Sequence, residues 1–440
     1  MEARYATRKQ QWLAEGQVTP AIFDPVRPRL ATLMAPCVET CCRQAPDPQA
    51  QTSVGGLLSD VAPKHVASSA SRCGQDRLPR QRFIGWAPWE DVPLRQEVTR
   101  HVTAPWGHVD GVLVCDPAGC PTSGPESVGV ARQWCGRLGT VDNGQVAVYV
   151  GDVSGEGYPL VDRRLYRPTA WTPDQARLDQ AGVPNDHRGY RSRHPWAWDR
   201  LQASGTRLPP GWMAGDDARG RPLWCRHRRA RLGERSMLAV PGNTLLRDLA
   251  TAPPEDRGRG RRPKRPWQRL DQWSTALAQD AWTSIDVRDG AKGPLLVAMV
   301  TGPVVARTPP RQAGHQARAV VVRSRDRDQP EVVQVDYDLS KSAVETALAA
   351  FARVAKAAHR LDACRQRGKS EAGLADDEGR KWTGWHHHQP LSLIATWFFV
   401  TETPRGKNMD PGDDVTSDSR RHRVDLAPSV SVRDAVASAA

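Results

Sequence analysis

The chain has nine cysteines, an odd number, at positions 37, 41, 42, 73, 115, 120, 135, 225 and 364, and no C-x-x-C pair. That pattern offers neither a disulfide framework nor a structural zinc site. No run approaches the ~20 apolar residues of a membrane-spanning helix. The opening MEARYATRKQQ also lacks the apolar core of a signal peptide. The expectation is a cytoplasmic, nucleoid-associated protein with no membrane partner. Phe and Tyr are scarce, at five and six residues, and acidic charge is in deficit, with 49 Asp+Glu against 62 Lys+Arg. The resulting net charge of +13 points to a polyanionic partner, with nucleic acid as the leading candidate. What is present is a length of 440 residues and 39% hydrophobic content, enough for two or three packed domains.

The chain is organised around VLVCDPAGCPTSGPESVGVARQWCGRLG, residues 112–139. Val112, Leu113 and Val114 lead through Cys115 into Asp116, and a Pro/Gly/Ser/Thr loop follows. The pattern predicts a buried strand that delivers one carboxylate to its C-terminal end. Strand-end aspartates often merely begin turns, so Asp116 gains weight only from two later carboxylates. SVGVARQW and QVAVYVGDV extend the strand-rich run, the second alternating at Val146, Val148 and Val150. Farther on, Trp212 to Gly215 forms a short apolar approach to Asp216. Asp217 is the alternative there, since adjacent strand residues point to opposite faces.

Around these segments the chain divides into five parts. Residues 1–110 read as a helical N-terminal domain, a candidate for binding DNA ends, and 111–250 as the first part of an α/β core. Residues 251–338 read as a β-rich insertion with a basic arm, 339–403 as the C-terminal part of the core, and 404–440 as a disordered tail. The arm carries seven basic residues among the thirteen from Arg257 to Arg269 and no acidic one, so it is solvated or phosphate-binding. Lys341 to Gly368 shows helical periodicity through Val344, Leu348, Phe351, Val354, Ala358 and Leu361. On that helix Asp362 and Lys369 share one face. His386, His387 and His388 are consecutive; on a helix they point about 100° apart and cannot chelate one ion together. They read as a packing and DNA-facing turn. Near the end of the N-terminal part, Phe83, Ile84, Trp86 and Trp89 crowd beside Arg77, Arg80 and Arg82. Such a cluster suits either nucleic-acid stacking or a hydrophobic plug.

From roughly Gly55 to Thr403 the chain resembles insertion-sequence transposases of the DDE class. The matching segments include QDRLPRQRFIGWAPWED, GPESVGVARQWCGRLGTVDNGQVAVYVG, LVDRRLYRPTAWTPDQARLDQAGVP and AGDDARGR with SMLAVPGNTLLRDL. RGRGRRPKRP, FARVAKAAHRLDACRQRGKSEAGL and WTGWHHHQPLSLIATWF complete the set, in order. The resemblance implies an RNase H-like α/β core, a mixed sheet flanked by helices, interrupted by a β-rich insertion. It also implies two strand-end aspartates and a late-helix acid holding two Mg²⁺ ions, with Mn²⁺ as a substitute. By position these are Asp116, Asp216 and Asp362, with Glu371 and then Glu378 as alternatives for the third. Hard carboxylate oxygens suit such ions, which activate the attacking oxygen and stabilise the leaving one.

The implied activity is cutting and joining of double-stranded DNA at element ends and target, by a homodimer on DNA. A catalytically decayed DNA-binding relic is the alternative, and a coating protein with no site is a third. The implied DNA contacts are Arg257, Arg259, Arg261, Arg262, Lys264, Arg265 and Lys369. The sequence departs from the family pattern in having Asp362 where Glu is usual, a side chain shorter by one C–C bond, ~1.5 Å. Ala358 and His359 replace an arginine and an aromatic, and Cys120 to Gly124 replaces a lysine-bearing loop.

Overall fold

The computed structural model describes residues 26–41, 49–59, 61, 63–72, 76–103, 111–136, 138–154, 157–190, 211–215, 235–255, 258, 264–288, 295–307, 316–325, 333–343 and 345–408. Five helices come first: α1 (Val26–Cys41), α2 (Gln49–Leu57), α3 (Val66–Arg72), α4 (Arg77–Gly85) and α5 (Asp91–Thr103). The strands β1 (Val112–Pro121), β2 (Ala131–Cys135), β3 (Thr140–Val153) and β4 (Leu160–Tyr166) follow. After α6 (Gln175–Gln180) come β5 (Trp212–Gly215), β6 (Ser236–Ala239), β7 (Leu245–Asp248) and β8 (Gln268–Arg269). Next are α7 (Leu270–Ala276), β9 (Thr283–Arg288), β10 (Leu295–Arg307), β11 (Gln316–Arg325) and β12 (Val333–Lys341). Two long helices, α8 (Leu348–Glu371) and α9 (Trp382–Asn408), close the described chain.

The twelve strands among the described residues join one sheet, in the order β2-β3-β1-β5-β6-β12-β11-β10-β7-β8, with β4 paired to β3 and β9 to β10. β1 is antiparallel to β3 but parallel to β5, and β5 is parallel to β6. This mixed sheet flanked by helices is the RNase H-like α/β arrangement the resemblance implied. The later strands extend it: β12 runs antiparallel along β6, pairing Asp338 with Ala239, and β11 and β10 follow outward.

Period-two alternation decides what covers each face. Val112 and Val114 of β1 point one way, with Tyr149, Trp212 and Ala214, into a core completed by Phe351, Val354, Leu361 and Cys364 of α8. Leu113 and Cys115 point the other way, with Val148, Val150 and Met213. There they meet Met34, Val54, Leu57, Phe83, Leu94 and Val98 of the N-terminal helices and Leu391, Ile394 and Trp397 of α9. A third cluster packs α7 residues Leu270 and Trp273 on Val300, Val304, Ala319 and Val321 of the outer strands. Gly302 admits the Trp273 ring, since a Cβ there would stand 2.8 Å from Cζ2.

The helical periodicity read from Lys341 needs correction at both ends. Lys341 pairs with Ser236 as the last residue of β12, and α8 runs from Leu348 to Glu371. Alternation in VQVDYDLSK satisfies the sheet first, and the apolar stripe begins only after it. Likewise α9 extends to Asn408, past the expected start of the tail at residue 404; residues 409–440 lie outside the described residues.

The histidine turn faces inward. His387 and His388 are 3% and 5% exposed, and His387 stacks on Trp89, itself stacked on Phe83. The aromatic cluster is therefore chiefly a plug, with Trp86 left exposed beside Lys381. Pro390 lacks the N–H that would otherwise bond the His386 carbonyl one turn back. That carbonyl instead accepts from Arg163 Nη2 at 2.9 Å. The same guanidinium donates to Asp91 at 2.7 Å, tying α5 and β4 to α9.

These half-buried polar groups weaken the fold in acid. Burial alone would raise the Asp91 pKa, but Arg163, with His386 and Arg95, outweighs it and holds the carboxyl at about 2. The unfolded chain takes that proton first, so about 2 kcal/mol of stability present above pH 4 is lost as pH falls towards 2. Burial pushes His386 down to about 3. It stays neutral in the fold while the unfolded chain protonates near 6.5, so stability also falls as pH drops from 6.5 to 3. Replacing His386 with Asn, which keeps a donor for the Trp382 carbonyl and does not titrate, should flatten the urea midpoint across pH 6.5 to 3. An unchanged pH profile would exclude His386 as the source.

Candidate active site

β1 does not stop at Asp116. Its pairing with β3 continues from Asp116 opposite Tyr149 to Pro121 opposite Gly144. Among the described residues the parallel ladder to β5 runs as far as Cys115 opposite Gly215. Asp116 follows it, towards the C-terminal ends of the parallel strands, the usual side for a ligand site in α/β sheets. The long, evenly alternating β3 keeps β1 extended through the Pro and Gly residues that suggest a loop in the sequence. By alternation Asp116 falls on the same face as Val112 and Val114, beneath α8.

Helix α8 buries Phe351, Val354, Leu361, Cys364, Gly368 and Glu371, a three-and-four spacing that fixes which side meets the sheet. Asp362 lies at the margin of that stripe, 44% exposed, and Asp116 is 28% exposed. Between them is Arg365, 15% exposed. Its Nη1 donates to Asp116 Oδ2 and its Nη2 to Asp362 Oδ1. Nη1 also donates to the Pro117 carbonyl at 2.7 Å, and Gln366 Nε2 donates to Asp362 Oδ2 at 2.8 Å. Carboxylates from β1 and α8 therefore converge on one cation.

The other predicted residues fall in different places. Asp216, the residue after Gly215, lies outside the described residues, as do Asp217, Arg257, Arg259, Arg261 and Arg262. Lys264 is exposed, and Arg265 donates to the Thr251 carbonyl at 2.5 Å. Lys369 donates to the Gly119 carbonyl at 2.8 Å and so ties the last turns of α8 to β1. Glu371 is within α8 and 8% exposed, whereas the sequence suggests a solvated position past the helix end. Nine residues from Asp362 is about 2.5 turns, which puts it on the opposite side of the helix. Glu378 is exposed. Arg360, the arginine closest to the family's pattern, donates to the Ser154 carbonyl at 3.1 Å.

Sequence reasoning missed Arg365 and Gln366. The available signal was their spacing of three and four residues from Asp362, which places all three on one helix face.

Among the described residues no three His, Cys, Asp or Glu side chains are grouped to hold a metal ion. The two acids that do meet, Asp116 and Asp362, have hard carboxylate oxygens gathered around a positive charge, a chemistry that would suit a divalent ion. Cysteine is poorly suited to serve instead, since burial raises the Cys120 thiol pKa against the pull of Lys369.

The class that fold and site define is an RNase H-like α/β protein with an acidic pair where a long helix crosses a mixed sheet. The family model described as DDE superfamily endonuclease matches residues 36–294, more than half of the 440 residues, and the chain belongs to that family. Membership brings a nuclease or transposase type of function on DNA, and such endonucleases generally use divalent metals. The matched span contains Asp116 and Asp216 and stops before α8. No curated protein matches the chain. Among the described residues no helix is long and apolar enough to cross a membrane.

The seat of α8 on the sheet depends on Gly151, opposite Val114 in the ladder. A Cβ at 151 would stand 1.9 Å from Leu361 Cδ1 and 3.1 Å from the Pro159 carbonyl. Leu361 immediately precedes Asp362. Gly151→Ala should cost about 1–3 kcal/mol by overpacking, and Leu361→Val in the same chain should recover part of it. Denaturant unfolding of the two single variants and the double variant checks this; strictly additive losses would show that the two positions do not touch.

Proposed function

We propose that the protein is an insertion-sequence transposase that cuts and joins DNA strands by metal-dependent phosphoryl transfer. Asp116, Asp216 and Asp362 would hold two Mg²⁺ ions, or Mn²⁺ in their place. The observation that carries this reading is the convergence of Asp116 and Asp362, from β1 and α8, on one guanidinium. Asp216 joins them by chain position: it follows Gly215, whose ladder partner Cys115 precedes Asp116. When bound, the ions would lower the pKa of an attacking water or 3′-hydroxyl and stabilise the leaving oxygen. The chain's own contribution is to hold the carboxylates on rigid elements, one on a strand buried on both faces and one on a 24-residue helix. Lys369 keeps the end of that helix against β1 through the Gly119 carbonyl.

The net charge of +13 supports a DNA substrate. The basic run from Arg257 to Arg269 is the proposed contact to phosphates, and a homodimer on DNA in the cytoplasm is the proposed working form. A second reading is a DNA-binding relic without turnover. What favours it is Arg365, which already supplies positive charge to both carboxylates, together with the shorter arm at Asp362.

Asp116→Asn should lower cleavage of element-end DNA in Mg²⁺ or Mn²⁺ by at least roughly a thousandfold while leaving end binding nearly unchanged. Cleavage that survives this change would sink the assigned site, and a wild-type chain that binds ends but cuts nothing in either metal would favour the relic. Separately, neutralising Arg259, Arg261, Arg262 and Lys264 together should flatten the salt dependence of DNA affinity, by roughly 0.9 in log–log slope for each phosphate that the arm no longer neutralises. An unchanged slope rules the arm out as a DNA-binding element.

A further inference from the structure

Arg365 is one turn along α8 from Asp362, and its guanidinium engages oxygens on both acidic side chains. It makes a third bond, to the Pro117 carbonyl at 2.7 Å, so its fork is anchored to the β1 backbone as well as to the acids. Gln366 Nε2, at 2.8 Å, takes the remaining oxygen of Asp362. Both oxygens of Asp362 and Oδ2 of Asp116 are therefore committed to donors of this chain. A planar guanidinium with its five donors can bridge two carboxylates in a way that an ammonium cannot.

From this geometry we infer that Arg365 is an internal counter-cation in competition with a divalent ion for Asp116 and Asp362. The inference rests on the proposed reading of those two residues as metal ligands. Without a divalent ion, Arg365 cancels the repulsion between the acids and holds α8 to β1. An ion that binds the same oxygens must displace the guanidinium, so the free energy of breaking these bonds is subtracted from metal affinity. Arg365 is thus a positioning residue that sets the metal concentration at which the site fills. Once displaced from the acids, it remains tethered three residues from Asp362 and still charged.

The test is Mn²⁺ binding to the full chain by titration calorimetry, alongside melting curves in EDTA and in Mn²⁺. Arg365→Gln should bind Mn²⁺ about tenfold more tightly than the wild type, the order expected when a charge-assisted competitor is removed. The same variant should melt lower than the wild type in EDTA and gain more from added Mn²⁺. Arg365→Lys keeps the charge but cannot fork, and should fall between the two; it serves as the measured variant if the Gln form does not fold. Mn²⁺ affinity that is equal or weaker in these variants, while Asp116→Asn and Asp362→Asn still weaken binding, overturns the competition and leaves the ligand pair standing. Binding that neither Asn substitution alters overturns both the ligand assignment and the inference built on it.

Discussion

Two carboxylates brought to one half-buried patch repel each other, and this structure answers with a single guanidinium between them. Much of the surrounding architecture serves to keep that meeting fixed. Asp116 cannot move because the residues before it are buried on both faces of the sheet, Val112 and Val114 against α8 and Leu113 and Cys115 against the N-terminal helices and α9. Asp362 cannot move because its neighbours Leu361 and Cys364 are fully packed. The charged groups therefore stand at the margin of a rigid apolar contact, where an acidic pair is easiest to hold without the full cost of burial.

The far face of the sheet is secured differently. There a buried network joins Asp91 of α5, Arg163 of β4 and the carbonyl of His386, left without its helical donor by Pro390. The proline removes one bond from α9, and the arginine that replaces it reaches across from the sheet. A second buried pair, Arg95 with Asp162 at 3.3 Å, joins the same two elements, α5 and β4. Breaking either pair from one side would leave an uncompensated buried charge. The helical layer is thus fastened to the core by electrostatics as well as by apolar packing.

Much of this arrangement is legible in the sequence, for identifiable reasons. Trp212 to Gly215 reads as a strand from four residues, and the four segments from Thr283 to Ser340 read as strands because alternation and β-branching are strong local signals. That β1 continues past Asp116 is not legible, since Pro and Gly at 117–121 signal a loop unless one knows that β3 pairs with them. The start of α8 is hidden because Val344 stands four residues before Leu348 and so joins the apparent stripe, whereas the helix begins only at Leu348. Arg365 escapes notice because its role depends on Asp116, 249 residues away, and no local pattern records such a contact.

The approach of α8 to the sheet is set, directly beside Asp362, by Gly151. Gly151 stands beside Val114 in the ladder and leaves room for Leu361, the residue before Asp362, where any larger side chain would clash. The missing Cβ lets α8 settle at contact distance from the sheet backbone. Asp362 is therefore carried by a helix whose seat depends on a glycine of β3, and a side chain at 151 would push against Leu361 and shift the carboxylate beside it.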